Sequence, residues 1–545
     1  MVQTYEEFSA EEIAKLEKYV TNAYSNVFVL RNLPEVIKGA LFSRYSRSSL
    51  GLRSLLLKEF ILNEDTYFDA IAMTSKDKQD EKEDQLVAIK KAQNFYDRIL
   101  DGYGDDSIGE LGGAHLAFEN ISMLAAKAIE NSRIGGSPLE KSTRYIYFDQ
   151  KVNGEYLFYR EPVLLTSAYR DVYLKTCNML FETYSKLIPP LTAKIEEKFP
   201  KEPHIASGAY KAALRAKVLD CLRGLLPASS MTNVGVFGNG RFFENLVQKL
   251  FCHSLVELQD LGKETFFELK KVIPSFVRRA DPTHKYQQSY AQCMEQMKND
   301  LKALSQTHNF HIKEERSPGV FLTDYDKDAL WKVAGALLFS NSSAGLLDLQ
   351  KYCRSLSEEE LYRILDAACL FRENRRHKSP RALEHAHYTF EIVADFGIYR
   401  DLQRHRILTQ QRQQLTCKYG YFIPQEIIDT EMEKDYVNAM NEAKKAWEMI
   451  FEELPEEAQY VVPMAYNLHW YFHVDLRSLQ WLCELRSSPA GHPNYRYVAQ
   501  EMTRQVCEAH PFFERFFKFV DFNGHELGRM NQEISREKKK DGIKQ

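Results

Sequence analysis

Two stretches of the 545-residue chain carry the same series of motifs in the same order, and this repetition constrains the fold more than any other feature. In the second half, Arg-His-Arg at residues 404–406 is followed by Thr-Cys-Lys-Tyr at residues 416–419 and a short apolar segment. In the first half, Arg133 is followed by Ser-Thr-Arg-Tyr at residues 142–145 and a similar segment. Recurrence of this kind predicts an internal duplication.

The later part of each repeat has a fixed spacing. Pro227 is followed after twelve positions by Asn239, and Pro463 is followed after twelve positions by Asp475, with an arginine two residues beyond in both cases. The interval from the Ser-Thr-Arg-Tyr motif to Asn239 is 38 residues longer than its counterpart in the second half. We therefore predict an insertion in the first half.

A Ser-Pro-Gly turn around Pro318 separates the two halves. We predict a first half over residues 1–318 with an N-terminal extension, a second half over residues 319–535, and a frayed basic tail over residues 536–545.

Apolar residues recur at helical spacing through most of the chain. Two predicted helices begin with a Ser-x-x-Glu capping box, at residues 9–12 and 357–360. Residues 387–396 alternate apolar and polar side chains, as a strand with one buried face does, and residues 145–148 and 419–423 also resemble short strands. The predicted class is α+β with helix in excess.

The composition argues against several classes of function. The chain is 44% hydrophobic and 27% charged with a formal net charge of −4, which argues against a nucleic-acid-binding or membrane-surface protein. No apolar run is long enough to cross a membrane, and the acidic N-terminal segment is unlike a signal peptide. Nine scattered cysteines without a C-x-x-C pair predict reduced thiols, no metal site and a cytoplasmic location.

The cationic triplet is the sharpest candidate site. Arg404, His405 and Arg406 repel one another unless an anion or solvent relieves them, and an arginine fork matches phosphate oxygens. A solvated charged turn is the alternative. The triplet follows an apolar strand and precedes a polar loop that contains Thr409, which weakens the solvated-turn alternative and leaves both open.

Three further candidates are weaker when taken alone. Ser142 and Arg144 could cradle a phosphate, or they could form an ordinary turn. Arg241 and Asn245 share a helix face and could contact a ligand or only each other. Arg486 ends a predicted helix, where a cation also stabilises the helix dipole.

Together these positions resemble the flavin-dependent thymidylate synthases of the ThyX type. The second half matches that family at Glu384-His385 with the following strand, at the triplet, and over residues 463–486. It departs at Asp401, where the family has a glutamine, at Asp475, where it has an asparagine, at Lys418, where it has an arginine, and at Arg496, where it has an acidic residue.

The first half matches the family in the complementary places. It lacks the triplet but keeps Glu140, Ser-x-Arg-Tyr at residues 142–145, Arg223, and Asn-x-Arg at residues 239–241. The family forms tetramers whose sites draw residues from several chains. We therefore hypothesise that each site pairs a first half with a second half and that two chains form a pseudo-tetramer. Whether the paired halves come from one chain or two stays open.

The resemblance implies two tandem ThyX-like domains, each a small antiparallel or mixed sheet packed with a helical bundle. It implies reductive methylation of dUMP to dTMP, with FAD as cofactor and with methylenetetrahydrofolate and NADPH as co-substrates. No protein nucleophile is used, and Arg486 is the implied catalytic residue, which polarises the uracil ring. The implied substrate-binding residues are Glu140, Ser142, Thr143, Arg144, Arg223, Arg404 and Arg486. The implied cofactor-binding residues are Asn239, Arg241, Asn245, Arg404, His405, Arg406 and Thr409.

Two other functions remain compatible with these residues. One is a folate- and flavin-dependent methyltransferase that acts on uracil in RNA, although the low basic charge opposes a polynucleotide substrate. The other is a non-catalytic flavin- or nucleotide-binding protein, in which the departures at Asp401, Lys418 and Asp475 mark decay.

Overall fold

The computed structural model describes residues 7–46, 48–62, 109–308 and 317–543. These ranges are rich in helix, as the apolar spacing predicts. The helices are α1 (Ala10–Leu16), α2 (Glu35–Tyr45), α3 (Leu52–Leu55), α4 (Met123–Glu130), α5 (Pro162–Thr166), α6 (Arg170–Lys198), α7 (Ser207–Leu222), α8 (Gly240–Phe251), α9 (Val256–Val272), α10 (Pro274–Val277), α11 (Lys285–Thr307), α12 (Ala329–Phe339), α13 (Leu346–Ser355), α14 (Glu358–Cys369), α15 (Phe396–Leu402), α16 (Glu431–Phe451), α17 (Leu476–Arg486), α18 (Pro493–Ala509) and α19 (Met530–Ile543).

The strands are short and form small sheets. They are β1 (Gly113–Ser122), β2 (Gly136–Glu140), β3 (Lys151–Val152), β4 (Glu155–Tyr156), β5 (Met231–Asn239), β6 (Gly319–Tyr325), β7 (His387–Asp395), β8 (Thr409–Arg412) and β9 (Asn467–Asp475). The sheet orders are β1-β5-β2, β3-β4 and β6-β7-β9-β8. Helix-rich structure with small antiparallel sheets confirms the predicted α+β class.

Contacts divide the chain into two compact units. Unit 1 comprises Met1–Glu119, Asn131–Glu140 and Asn233–Phe310, and unit 2 comprises Asn120–Glu130, Lys141–Thr232 and His311–Gln545. These units are defined by packing, whereas the boundary at residue 318 separates the two sequence repeats, so that boundary stays a prediction. Among the described residues, no helix has the length and hydropathy that a membrane span requires.

The local sequence signals explain several elements. Both predicted capping boxes form, with Ser9 and Ser357 accepting a hydrogen bond from the backbone N–H three residues on. The predicted strand from residue 387 is β7, which buries Tyr388, Phe390 and Ile392. It pairs with β9 from His387↔Asp475 to Asp395↔Asn467.

Two strand predictions and the frayed tail are wrong. Residues 145–148 form a turn, because the Ser142 hydroxyl accepts the N–H of Arg144 at 3.2 Å and bends the chain. Residues 419–423 form only an isolated bridge at Tyr421, next to Gly420 with a φ of 68°. Residues 536–543 continue helix α19, and Glu537 accepts the backbone N–H of Ala209 at 3.0 Å.

Within unit 2, the repeated proline segments 224–229 and 460–465 pair with each other, with Pro227 opposite Pro463. The hydrogen bonds come in reciprocal pairs, so exchanging the two segments turns each bond into its partner. In the first pair, the Ala228 N–H donates to the Val462 carbonyl and the Met464 N–H donates to the Leu226 carbonyl, both at 2.9 Å. In the second pair, the Ser229 N–H donates to the Tyr460 carbonyl at 3.1 Å and the Ala465 N–H donates to the Gly224 carbonyl at 2.9 Å. Isologous contacts of symmetric dimers have this property. The repeat is therefore structural as well as sequential.

The same symmetry aligns two helix starts. The Met123 N–H donates to the Ser230 carbonyl, and the Phe396 N–H donates to the Tyr466 carbonyl, both at 3.1 Å. Helix α4 therefore corresponds to α15, and Ala128 corresponds to Asp401. By the spacing of the proline segments, Arg223 corresponds to Gln459.

A polar residue caps the helix after each long strand. Ser122, Asn239, Asp395 and Asp475 each accept the backbone N–H three residues on, at 2.8–2.9 Å. The four strand-to-helix junctions thus share one local design.

Candidate functional site

Unit 2 brings first-half and second-half site residues together. An ion pair joins Arg223, directly after helix α7, to Asp401 in helix α15, with 3.0 Å between Nη1 and Oδ2. Helix α7 leads into the segment at Pro227, and α15 starts against the segment at Pro463, so the pseudo-symmetric pairing sets this contact. The paired halves are therefore halves of one chain at this point.

Arg223 is deeply buried, with 4% of its surface exposed. Among the described residues, its Nη2 atom has no hydrogen-bond partner. A Cβ on Gly397 would lie 3.3 Å from both Nε and Nη2, so the guanidinium packs closely on the glycine backbone. Burial alone would raise the pKa of Asp401, but the charges of Arg223, Arg144, Arg486 and Arg404 hold it well below its usual value.

Arg144 is engaged within the protein. Its Nε and Nη2 atoms bind the two carboxylate oxygens of Asp220 at 2.6 and 2.7 Å, and Nη1 donates to the Tyr495 hydroxyl at 3.2 Å. A fourth contact reaches the Ala490 carbonyl at 3.4 Å. Burial opposes the charge of Asp220, but Arg144 lowers the pKa of that carboxyl. The fork of Arg144 thus ties α7 to the start of α18, and its predicted contact with dUMP stays a prediction.

His492 adds a neutral group beside this pair. Its Nδ1 atom accepts the N–H of Asn494 at 3.2 Å, so Nε2 carries the proton and donates to the Asp220 carbonyl at 3.2 Å. Burial and the charge on Arg223 lower the pKa of His492 to about 3. His492 is therefore uncharged at neutral pH.

The triplet contains two cations rather than three. Arg404 is exposed, whereas His405 and Arg406 are half-buried in the turn after α15. The Nε atom of Arg486 donates to Nε2 of His405 at 2.9 Å, which requires that ring nitrogen to be unprotonated. Burial and the charge on Arg486 lower the pKa of His405 well below its usual value. His405 therefore orients Arg486 and contributes no positive charge of its own.

Arg486 lies at the end of α17, with its guanidinium carbon 5.4 Å from the ring centre of Tyr495. Burial lowers the pKa of Arg486, and the carboxylate of Asp401 opposes that change. Four guanidinium groups, those of Arg144, Arg223, Arg404 and Arg486, thus act on Asp401. Even with Asp220 included, the cluster has more cations than carboxylates, which is the electrostatic requirement of an anion site. We call these six residues the arginine cluster.

Several predicted site residues lie in unit 1. Asn239 caps α8, Arg241 forms an ion pair with Glu110 at 2.7 Å, and Asn245 is exposed. Glu140 is buried at the end of β2. Their predicted contacts with a cofactor or nucleotide stay predictions.

The other three predicted site residues, Ser142, Thr143 and Thr409, lie in unit 2. Thr143 is buried, and Thr409 is exposed at the first position of β8, opposite His473.

Sequence reasoning missed three residues of the cluster region, Asp220, His492 and Tyr495. Asp220 lies in the last turn of α7, three positions before Arg223, which is a weak signal for a charged pair. His492 precedes a proline at the first position of a helix, which is a recognisable cap. For Tyr495 we find no sequence signal.

The sequence was compared with known families and proteins. The model of the family described as thymidylate synthase complementing protein matches residues 59–275 and 321–512. The chain belongs to this family. The two matched regions fall in the two predicted halves, as expected for a tandem member of the thymidylate synthase complementing protein family.

Relatives of similar length align with more than nine-tenths of this chain. A UPF0159 protein of Chlamydia pneumoniae is 54% identical over 537 residues, which is 98% of this chain and 99% of the relative. A UPF0159 protein of Thermoplasma acidophilum is 33% identical over 534 residues, which is 93% of this chain and 99% of the relative. Among solved structures, the flavin dependent thymidylate synthase ThyX from Helicobacter pylori complexed with FAD and dUMP aligns with a TM-score of 0.28 and 18% identity, over 37% of this chain and 98% of that chain.

Proposed function

We propose that the chain is a flavin-dependent thymidylate synthase that reductively methylates dUMP to dTMP. FAD is the proposed cofactor, and methylenetetrahydrofolate and NADPH are the proposed carbon donor and reductant. The observation that carries this proposal is the Arg223–Asp401 ion pair, which joins an arginine of the first half to the helix before the triplet of the second. Family membership and the complementary motifs support it.

The arginine cluster suits the phosphate of a nucleotide. Arg223 keeps a buried Nη2 donor without a partner among the described residues, and such a donor is costly unless a ligand accepts from it. Arg404, exposed in the turn after α15, can reach an anion that enters from solvent. Bidentate guanidinium–phosphate bonds make this recognition stronger than a point charge would. We assign substrate binding to these two arginines first and to the segment at residues 140–144 second.

Arg486 is the proposed catalytic residue. Its Nε atom is fixed by neutral His405, so the rest of the fork is oriented before a substrate binds. A guanidinium held at the uracil ring favours negative charge on the ring. When bound, reduced flavin would supply the hydride, and Arg404, Arg406 and the unit 1 residues Asn239, Arg241 and Asn245 are the proposed residues that hold the cofactor.

A non-catalytic nucleotide-binding protein is the second candidate. The observation that favours it is the Asp401 carboxylate, which already neutralises part of the charge on Arg223. The two functions differ in turnover rather than in binding, so an activity measurement separates them.

The decisive experiment uses the purified full-length chain with FAD, NADPH, methylenetetrahydrofolate and ring-tritiated dUMP. The expected result is tritium release together with dTMP formation. Arg486→Ala should retain flavin and lose turnover by about 100-fold or more, because one charge-assisted contact is worth roughly 2–4 kcal/mol in a transition state. Arg515→Ala is the matched control, since Arg515 is also half-buried and pairs at 2.6 Å with Asp366 outside the cluster. If the parent chain retains flavin but shows no turnover, the second candidate, a non-catalytic nucleotide-binding protein, is supported instead.

The proposed assembly is a dimer of two such chains, a pseudo-tetramer of four halves. The isologous pairing of segments 224–229 and 460–465 already joins two halves within one chain. Sedimentation of the purified chain should give twice its mass of 63.4 kDa.

A further inference from the structure

Asp401 differs from the family pattern and lies inside the arginine cluster. We propose that Asp401 limits the affinity of the arginine cluster for phosphate, because its carboxylate holds Arg223 and competes with the phosphate of dUMP for it. This inference rests on the proposed function, because it takes dUMP as the ligand of the cluster. Its consequence is a site that binds a dianionic phosphate more weakly than its number of arginines suggests.

The geometry of the pair supports this competition. Asp401 Oδ2 lies 3.0 Å from Nη1 of Arg223, and the two side chains are 16% and 5% exposed. Opposite charges at this distance interact strongly when water is largely excluded. A phosphate that accepts from Arg223 must therefore either share the guanidinium with a like-charged carboxylate or displace it. A glutamine at position 401, as in the family pattern, would carry no such charge.

The pseudo-equivalent position shows that folding does not require this ion pair. There, Ala128 takes the place of Asp401 and Gln459 takes the place of Arg223, and the same helix start forms with the same backbone hydrogen bond. Gln459 instead binds the backbone, accepting from the Leu415 N–H at 3.1 Å and donating to the Glu456 carbonyl at 3.0 Å. The two pseudo-equivalent helix starts thus share a backbone arrangement, and the charges of Asp401 and Arg223 occur at only one of them.

The neighbouring contacts keep Asp401 in place. Arg144 and Arg486 also attract its carboxylate, but their own hydrogen bonds go to Asp220 and His405. Arg223 donates a hydrogen bond directly to Asp401, so a change at Asp401 should act strongly on Arg223.

The test measures dUMP binding to the flavin-loaded full-length chain by titration calorimetry, with inorganic phosphate as a second probe. Asp401→Asn and Asp401→Gln should each bind dUMP about tenfold more tightly than the parent, because a competing charge has been removed. Inorganic phosphate should compete about tenfold better as well, whereas the flavin content should not change. In an Arg223→Gln background, the gain from Asp401→Asn should shrink to less than about threefold.

The outcomes separate this inference from the proposed function. If the parent binds dUMP and both Asp401 variants bind it no more tightly, the competition is overturned while the proposed function stands. An undiminished gain in the Arg223→Gln background also overturns it, because Asp401 would then act by general repulsion. If no variant binds dUMP or phosphate while all retain flavin, the proposed function itself fails. Should Asp401→Asn not fold, Asp401→Gln gives the same decision.

Discussion

Unit 2 contains two strand-to-helix corners that are related by the internal pseudo-twofold. Corner A comprises residues 395–406 with Arg223, and corner B comprises residues 122–130 with Gln459. Their backbones correspond at the helix start: each helix is capped from the last strand residue, and its first N–H donates at 3.1 Å to the carbonyl that directly follows the proline segment of its own half. The side chains around the two helix starts differ.

Corner A contains cations of the proposed anion site, whereas corner B pairs its cation with a carboxylate of the same helix. In corner B, Lys127 and Glu130 form an ion pair with both side chains almost completely buried. The arginine that corresponds to Lys127 is Arg400, which contacts the sulfur of Met464. Likewise, Lys418, the counterpart of Arg144, lies over the rings of Trp447 and Phe451 at 5.7 and 5.1 Å.

The difference shows how a duplicated interface can divide its tasks. In a symmetric dimer, one substitution changes both corners at once, so neither can lose its ligand groups without loss of function. In a fused chain the corners vary independently, and corner B has a buried ion pair between Lys127 and Glu130 and a glutamine, Gln459, in place of Arg223. The following variants test this difference between the side chains of corner A and corner B.

The largest effect is expected from Arg223→Gln, which copies corner B into corner A. It removes the buried partner of Asp401, and an unpaired buried charge costs about 3–5 kcal/mol of unfolding free energy. Affinity for dUMP should fall by about 100-fold, or roughly 3 kcal/mol. Chemical denaturation and dUMP titration measure the two losses separately.

The double variant Arg223→Gln with Asp401→Ala is the control for that experiment. It reproduces the residue types at both positions of corner B and should regain most of the lost stability without regaining dUMP affinity. Parental affinity in either variant would show that Arg223 is not a ligand-binding residue.

A smaller effect concerns the pH dependence of the capping residue in corner A. Burial raises the pKa of Asp395 to about 6, against the attraction of Arg223. A raised pKa gives stability that is present below the unfolded value near 4 and is lost as the pH rises through about 6. Ionisation of Asp395 should therefore cost about 3 kcal/mol between pH 4 and pH 8.

Asp395→Asn keeps an oxygen for the cap and removes this titration. The amount by which its unfolding free energy exceeds that of the parent should be larger at pH 8 than at pH 4 by about that amount. Asp395→Ser, which copies Ser122 of corner B, should flatten the profile in the same way. An unchanged pH profile in both variants would contradict the assignment to Asp395.

The sequence alone identified the repeat, the triplet and the strand β7, because each is carried by residues close together in the chain. It could not identify the partners of Arg144. Asp220 and Tyr495 lie 76 and 351 positions away, and only the packing of α7 against the start of α18 brings them together. The charge of His405 was also beyond prediction, since it depends on the hydrogen bond from Arg486.

Asn239 illustrates a further limit of the sequence. The family motif marks it as a cofactor residue, whereas in the structure its Oδ1 atom caps α8, as the carboxylate of Asp475 caps α17. An asparagine and an aspartate cap equally well, so the departure at Asp475 costs no helix stability. The motif alone cannot show whether Asn239 serves as a helix cap, as a cofactor-binding residue, or as both.

The smallest effect separates those two roles at Asn239. Asn239→Ala removes the cap and should lower the unfolding free energy by about 1 kcal/mol. Asn239→Asp keeps the capping oxygen, so its stability should stay within about 0.5 kcal/mol of the parent. If the amide also donates to the flavin, Asn239→Asp should lower flavin occupancy, measured by absorbance after desalting, without that loss of stability. The reverse change Asp475→Asn is the control and should alter neither stability nor flavin occupancy. Full flavin occupancy in Asn239→Asp would show that Asn239 acts only as a helix cap.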